Sequence, residues 1–195
     1  DHFAHELLGD MGHLTPPQSR AHVYVNGLYW GFYQTIERVD QHFMARLLGG
    51  EPEEYDSMKA SIQEGPTLVA GNTRAYETMF EVANKGVADE DGYQTLQEYL
   101  ELDPFIDYML INFWSGNRDW DHNNWRNGRH RSEGSSWHYF MWDSENIFKE
   151  TSIDRTSNNT ADNPTRLHHE LSKNPMYRRK FADHIQKHLF NDGLL

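Results

Sequence analysis

The dipeptide Asn26-Gly27 constrains this chain more than any other local feature. A two-residue type I′ turn needs positive φ at both central positions, and Asn-Gly reaches it at little steric cost. Aromatic and β-branched residues flank the dipeptide on both sides, so Ala21 to Thr35 is predicted to fold as an antiparallel hairpin. Pairing outward from the turn sets Val25 against Leu28 and Val23 against Trp30, with Tyr24 and Tyr29 sharing the other face. Gly31 then falls opposite His22, which leaves a gap where another backbone or a ligand could approach.

Charge removes several function classes. The 195 residues include 30 acidic and 18 basic side chains, for a formal charge of -12. Such a chain is repelled by a phosphate backbone, which excludes general nucleic-acid binding. No apolar run approaches the ~18–20 residues of a membrane span. The absence of Cys excludes disulfides, thiolate zinc sites and thiol nucleophiles. Only 37% of residues are hydrophobic, but ten Phe, ten Tyr and six Trp supply enough bulk for a core. The length suits one domain over residues 1–195. The chain opens at Asp1 without an initiator Met or a signal peptide, so it is expected to be cut from something longer.

Helical spacing is predicted over residues 1–12, and again from Asp40, which caps a helix carrying Phe43, Met44, Leu47 and Leu48 up to Gly49-Gly50. Gly65-Pro66 and Gly71-Asn72 punctuate the next stretch, with no phosphate role assigned to them. Helices are expected near 73–84 and 90–101. Asp103-Pro104 reads as a cap followed by Pro in the first turn of a helix from Phe105 to Trp114. That helix is apolar nearly all round and is predicted to be central. Residues 115–136 read as a polar loop, followed by a strand from Trp137 to Met141, and helices near 165–173 and 175–190 close the chain.

Five of the six Trp lie between 114 and 142, together with Asp119, Asp121, Asn123, Asn124 and Asp143. Ionisable groups bracketed by large rings suit a partly desolvated site, although Asp and Asn also cap turns. Spacing favours the site. Asp119 and Asn124 are five residues apart, and Tyr139 to Trp142 is a hydrophobic strand delivering Asp143 at its end. Phosphoryl transfer needs a carboxylate to orient the attacking hydroxyl, and an Asn with an Asp to hold the Mg²⁺ that bridges the phosphates; protein kinases supply them in this order.

Three stretches carry a wider likeness: HVYVNGLYWGFYQTIERVD (22–40), DYMLINFWSGNRDWDHNNW (107–125) and FMWDSENIF (140–148). With them the chain resembles the CotH kinases, atypical protein kinases of bacterial spore coats that also occur in extracytoplasmic bacterial proteins. The closing Leu167 to Leu195 also looks like the longer members of that family. The resemblance implies an α+β, protein-kinase-like fold, with a β-hairpin remnant of the small lobe joined to a mainly helical large lobe. It implies Mg²⁺- and ATP-dependent transfer to Ser or Thr hydroxyls of a protein substrate, at the spore or cell surface or elsewhere outside the cytoplasm. Residue by residue, Asp119 matches the catalytic Asp, Asn124 the metal-binding Asn and Asp143 the metal-binding Asp. Glu37 matches the Glu at the connection between lobes, beside the nucleotide, and Glu145 stands where many members carry a second metal-binding Asp. The family also has strands before the hairpin, one with a phosphate-contacting Lys. Arg20, the first basic residue here, is too close to the hairpin to belong to such a strand.

Plainer readings compete. Asp121 could replace Asp119, but the gap to Asn124 favours Asp119 and leaves Asp121 as a cap. Arg126, Arg129 and Arg131 are expected to be solvated and paired with nearby acids, and Trp120 and Trp125 to pack the loop. His184 and His188 lie one helical turn apart, but no third ligand stands at a convincing spacing, and most of the 12 His are expected at the surface. The alternative function is a non-catalytic binding or structural module of a cell-envelope or spore-surface protein, using the aromatic-rich loop as its contact surface.

Overall fold

The computed structural model describes residues 1–195 and bears out the α+β expectation, with seven helices and two antiparallel sheets. Helix α1 (His2–Asp10) leads into the hairpin of β1 (Gln18–Val25) and β2 (Leu28–Ile36), then α2 (Gln41–Leu48). A second hairpin, β3 (Tyr55–Ser61) and β4 (Gly65–Ala70), precedes α3 (Arg74–Lys85), α4 (Glu90–Gln97) and α5 (Leu102–Trp114). Strands β5 (Trp125–His130) and β6 (His138–Met141) follow, and α6 (Pro164–Leu171) and α7 (Pro175–Leu189) close the chain.

The turn at Asn26-Gly27 forms as expected, with φ of 51° and 82°. Val25 pairs with Leu28 and Tyr24 faces Tyr29, but a bulge then takes Trp30 out of register. Gly31 therefore lies opposite Val23 rather than His22, and His22 opposite Phe32. Gly31 has φ 150°, a conformation open to glycine, and this lets β2 absorb the extra residue. The hairpin leaves Tyr24, Leu28, Tyr29, Trp30 and Phe32 exposed.

Beyond the first hairpin the chain is less helical than the sequence predicts. It contains a four-stranded sheet in the order β4-β3-β5-β6, antiparallel at every pairing. Neither β3–β4 nor β5 is legible as a strand, because polar residues occupy the middle of the sheet and find partners there. Asp56, buried on β3, accepts from the Asn72 backbone N–H at 2.8 Å and its side chain at 3.1 Å. Ser57 Oγ donates to the Asn127 carbonyl at 3.1 Å. Such pairing removes most of the penalty for burying these groups.

Alternation along the strands divides the core in two. Met58, Trp125, Tyr139 and Met141 face the larger cluster, which holds Phe105, Ile106, Tyr108 and Met109 of α5. Tyr55 and Phe140 face the smaller one, with Val39 and with Phe43 and Met44 of α2. The Asp40 carboxylate caps α2, accepting from the backbone N–H groups of His42 and Phe43. The prediction of a central α5 holds, since Leu102 and residues 105–112 are buried. Its start does not. The helix begins at Leu102, with Glu101 as N-cap and no side-chain cap, because Asp103 turns instead to Lys180 at 2.7 Å and His184 at 2.8 Å. Pro104 is tolerated there, as first-turn N–H groups have no intrahelical acceptor. Helix α4 stops at Gln97, and the Tyr99 carbonyl accepts from Trp137 N–H at 2.7 Å.

Phe140 meets Phe43 edge-on, with ring centroids 5.4 Å apart, and joins α2 to the sheet. Phe140→Ala should cost about 3–5 kcal/mol of unfolding free energy in urea. Phe32→Ala on the exposed face of the hairpin should stay within ~0.5 kcal/mol.

Candidate active site

The loop after α5 is folded inward around two indoles. Trp120 and Trp125 are both fully buried, which bears out their reading as packing residues. Trp120 Nε1–H donates to the Tyr108 hydroxyl at 2.6 Å. Trp125 Nε1–H is shared between the Asp121 carbonyl at 3.0 Å and Asn163 Oδ1 at 2.8 Å. The Asp121 carboxylate caps α6, accepting from Thr165 N–H and from the Thr160 hydroxyl, both at 2.8 Å. Burial pushes the Asp121 carboxyl up, while those hydrogen bonds oppose the shift. With both carboxylate oxygens taken, Asp121 is committed to structure.

Asp119 lies on the other side of this buried turn, half-buried. Its Oδ2 accepts from Asn124 Nδ2 at 2.9 Å and from Asn123 Nδ2 at 3.4 Å. Its Oδ1 lies 3.6 Å from His122 Nε2. Asn124 Nδ2 also donates to the Asp143 carbonyl at 3.3 Å, so this one amide joins the loop after α5 to the end of β6. Two backbone bonds run in parallel, Arg118 N–H to the Asn146 carbonyl at 3.2 Å and Phe148 N–H to the Ser115 carbonyl at 2.8 Å. Asn124 and Asp143 hold left-handed backbone conformations, φ 56° and 53°, which Asn and Asp adopt more readily than most residues.

The structure thus places Asp119, the buried Asn124 and Asp143 next to one another, with Glu145 near enough for its charge to act on Asp143. Partial burial first, then the negative charges of Glu145 and Asp119, push the Asp143 carboxyl above its ordinary range. The side chains that could serve as donors here are the carboxylates of Asp119, Asp143 and Glu145 and the amide oxygen of the largely buried Asn124. These are hard ligands of the kind Mg²⁺ takes, so the donor set fits that ion.

Glu37 stands apart. It follows β2, and its carboxylate is clamped by Arg46 of α2, with Nε donating at 3.0 Å and a second bond from the same guanidinium. No hydrogen bond or ion pair joins it to the acidic cluster. Arg126 is the residue the sequence reading misplaces. It is buried rather than solvated and forms no ion pair; its guanidinium stacks 4.3 Å from the Trp142 ring and donates to the Val39 carbonyl at 3.0 Å. Its Nε has no partner. It sits on the same sheet face as Phe140, which binary patterning of a polar loop does not reveal. Arg129 and Arg131 do pair with an acid, both reaching Asp56, at 3.8 Å and 3.6 Å.

An Asp, an Asn five residues on, and an Asp behind a strand thus stand on two adjoining loops, in the order in which protein kinases carry such residues. The chain matches the family described as CotH kinase protein over residues 1–193, and it belongs to that family. Membership implies a kinase-like fold, and with kinase chemistry it implies nucleotide binding and the use of ATP. No curated protein matched the chain in sequence. No helix is long and apolar enough to cross a membrane.

Two substitutions separate structure from charge. Asp121→Ala strips the cap from α6 and leaves buried donors unpaired, and should cost roughly 2–3 kcal/mol in denaturant unfolding. Asp143 behaves oppositely: its folded pKa lies above the unfolded one, so ionisation costs stability as pH rises through the carboxylate range. Asp143→Asn should therefore raise the melting temperature at pH 7, and the gain should vanish below that range.

Proposed function

We propose that this chain transfers the γ-phosphoryl group of ATP, as its Mg²⁺ complex, to Ser or Thr hydroxyls of a protein substrate. The observation that carries this reading is the convergence of Asp119, Asn124 and Asp143 through the shared Asn124 amide. Asp119 orients the acceptor hydroxyl and takes its proton as the new O–P bond forms and the bond to the ADP oxygen breaks. Asn123 and Asn124 fix the orientation of Asp119 by holding Oδ2, which leaves Oδ1 to face the acceptor. Asn124, Asp143 and Glu145 would hold Mg²⁺, which when bound neutralises charge on the nucleotide phosphates. We assign Glu37, which Arg46 clamps between the hairpin and α2, to the nucleotide side. We place the protein outside the cytoplasm or at the spore or cell surface.

A non-catalytic binding module is the second reading, and one observation favours it. The exposed rings of the first hairpin form an apolar surface. The aromatic-rich loop expected to play that part cannot do so, because Trp120, Trp125 and Trp137 are all in the core.

Calorimetric titration with Mg-ATP, followed by product analysis, discriminates the two. The kinase reading expects Mg²⁺-dependent nucleotide binding that Asp143→Asn abolishes and Asp119→Asn retains. It also expects phosphoprotein rather than free phosphate, with turnover lowered about 10²–10⁴-fold by Asp119→Asn. Nucleotide binding without any phosphoryl transfer would overturn it in favour of the binding module.

A further inference from the structure

Away from the acidic cluster, α5 and α7 meet around a second group of ionisable side chains. Asp107 is fully buried in the middle of α5. His184 and His188 lie one turn apart on α7 and so share a face. Asp107 Oδ1 is 2.5 Å from His184 Nδ1 and 3.3 Å from His188 Nε2. One donor atom from each of the three residues falls within 4.8 Å of the others. Asp107 supplies the third ligand that spacing along the chain conceals, because it comes from a helix 77 residues away.

A hydrogen-bonded core cluster alone would leave these donors satisfied. His188 is not: the residue is 2% exposed, and its Nε2 points at the cluster without a hydrogen-bond partner. An unpaired ring nitrogen in a dry site costs free energy that a bound cation would recover. We propose that Asp107, His184 and His188 form a binding site for one divalent transition-metal ion of the zinc class, separate from the phosphoryl-transfer site.

Ligand chemistry and spacing agree. Two imidazoles and one carboxylate suit Zn²⁺ and its neighbours rather than Mg²⁺ or Ca²⁺, which prefer all-oxygen sets. Ligand atoms bonded at ~2.0–2.1 Å around a tetrahedral ion lie about 3.3 Å apart, close to the His188–Asp107 separation of 3.3 Å. His184 and Asp107 are closer than this because they are hydrogen-bonded; binding an ion would open the pair and release the His184 Nδ1 proton to solvent. Outer partners already orient both: Asp103 Oδ1 is 2.8 Å from His184 Nε2, and His13 Nε2 is 2.6 Å from Asp107 Oδ2. Metal-binding histidines and carboxylates are commonly braced in this way. The outer partners His13 and Asp103, with Lys180, also line a neighbouring cleft of about 450 Å³.

The test is equilibrium dialysis of the 195-residue chain against Zn²⁺ in excess Mg²⁺, with bound metal counted by mass spectrometry. The expected result is one Zn²⁺ per chain, retained in Asp143→Asn and lost in both His184→Gln and His188→Gln. Asp103→Asn, which removes only an outer partner, should weaken binding about 10–100-fold. Equal retention in wild type and the histidine variants, or loss of the ion in Asp143→Asn alone, would overturn the proposal. Should the histidine variants fail to fold, Co²⁺ added to wild type decides: ligand-field bands of imidazole coordination support the site, and bands of an all-oxygen aquo-like ion overturn it. None of these outcomes depends on phosphoryl transfer.

Discussion

An indole buried in a protein core needs an acceptor for its N–H, and Trp120 and Trp125 are both buried completely. Meeting that need determines the course of the loop after α5. Trp120 reaches back to Tyr108 on the helix that precedes it, and Trp125 reaches the carbonyl of Asp121 and the side chain of Asn163. Between the two rings the backbone turns Asp121 inward to the start of α6 and leaves Asp119 on the open side. Two acids two residues apart thereby acquire different environments, one buried with both oxygens taken by the start of α6 and one partly exposed among the side chains of its own loop. The same turn starts β5 at Trp125, so the central sheet and the acidic cluster share one anchor.

How much of this was legible in the sequence follows from where each residue finds its partners. Asn26-Gly27 and Asp40 act within a few residues of themselves, and both the turn and the cap form where expected. The register beyond Tyr24 depends on a bulge at Trp30 that pairing rules do not encode. Strands β3 and β5 were hidden because polar residues such as Asp56, Ser57 and Asn127 are buried in them. The partners of Asp56 and Ser57, which are Asn72 and the Asn127 carbonyl, are supplied only by the fold. The start of α5 moved because Asp103 has its partners on α7, far along the chain. In the site, the five-residue gap between Asp119 and Asn124 was read as the kinase order of residues, and the structure adds a side-chain contact between them that spacing alone did not foretell. Arg126 was misjudged because its burial depends on Trp142 and Val39, whose proximity only the folded sheet creates.

The charge distribution has two layers. The acidic cluster at the loop ends is exposed, with Asp143 burdened by its neighbours Glu145 and Asp119. Deeper in, Asp107 is held by His13 and His184, and those contacts keep its carboxyl well below the usual range despite burial. The first group collects negative charge on the surface; the second sets one buried carboxylate among histidines. Helix α5 links them, carrying Asp107 at its middle and leading at its end into the loop that holds Asp119.

The left-handed backbone at Asn124 and Asp143 has a consequence for how this site can vary. Strained conformations of this kind cost roughly 1–3 kcal/mol for ordinary residues, while Asn, Asp and Gly tolerate them. The backbone therefore admits almost the same short list of residues that metal chemistry would select. Under the proposed function, drift at these two positions would be filtered twice, once by shape and once by chemistry. A relative that had abandoned phosphoryl transfer could keep Asn or Asp at both positions for conformational reasons alone. In such a lineage the loss would show first at Asp119, which has no such backbone constraint to preserve it.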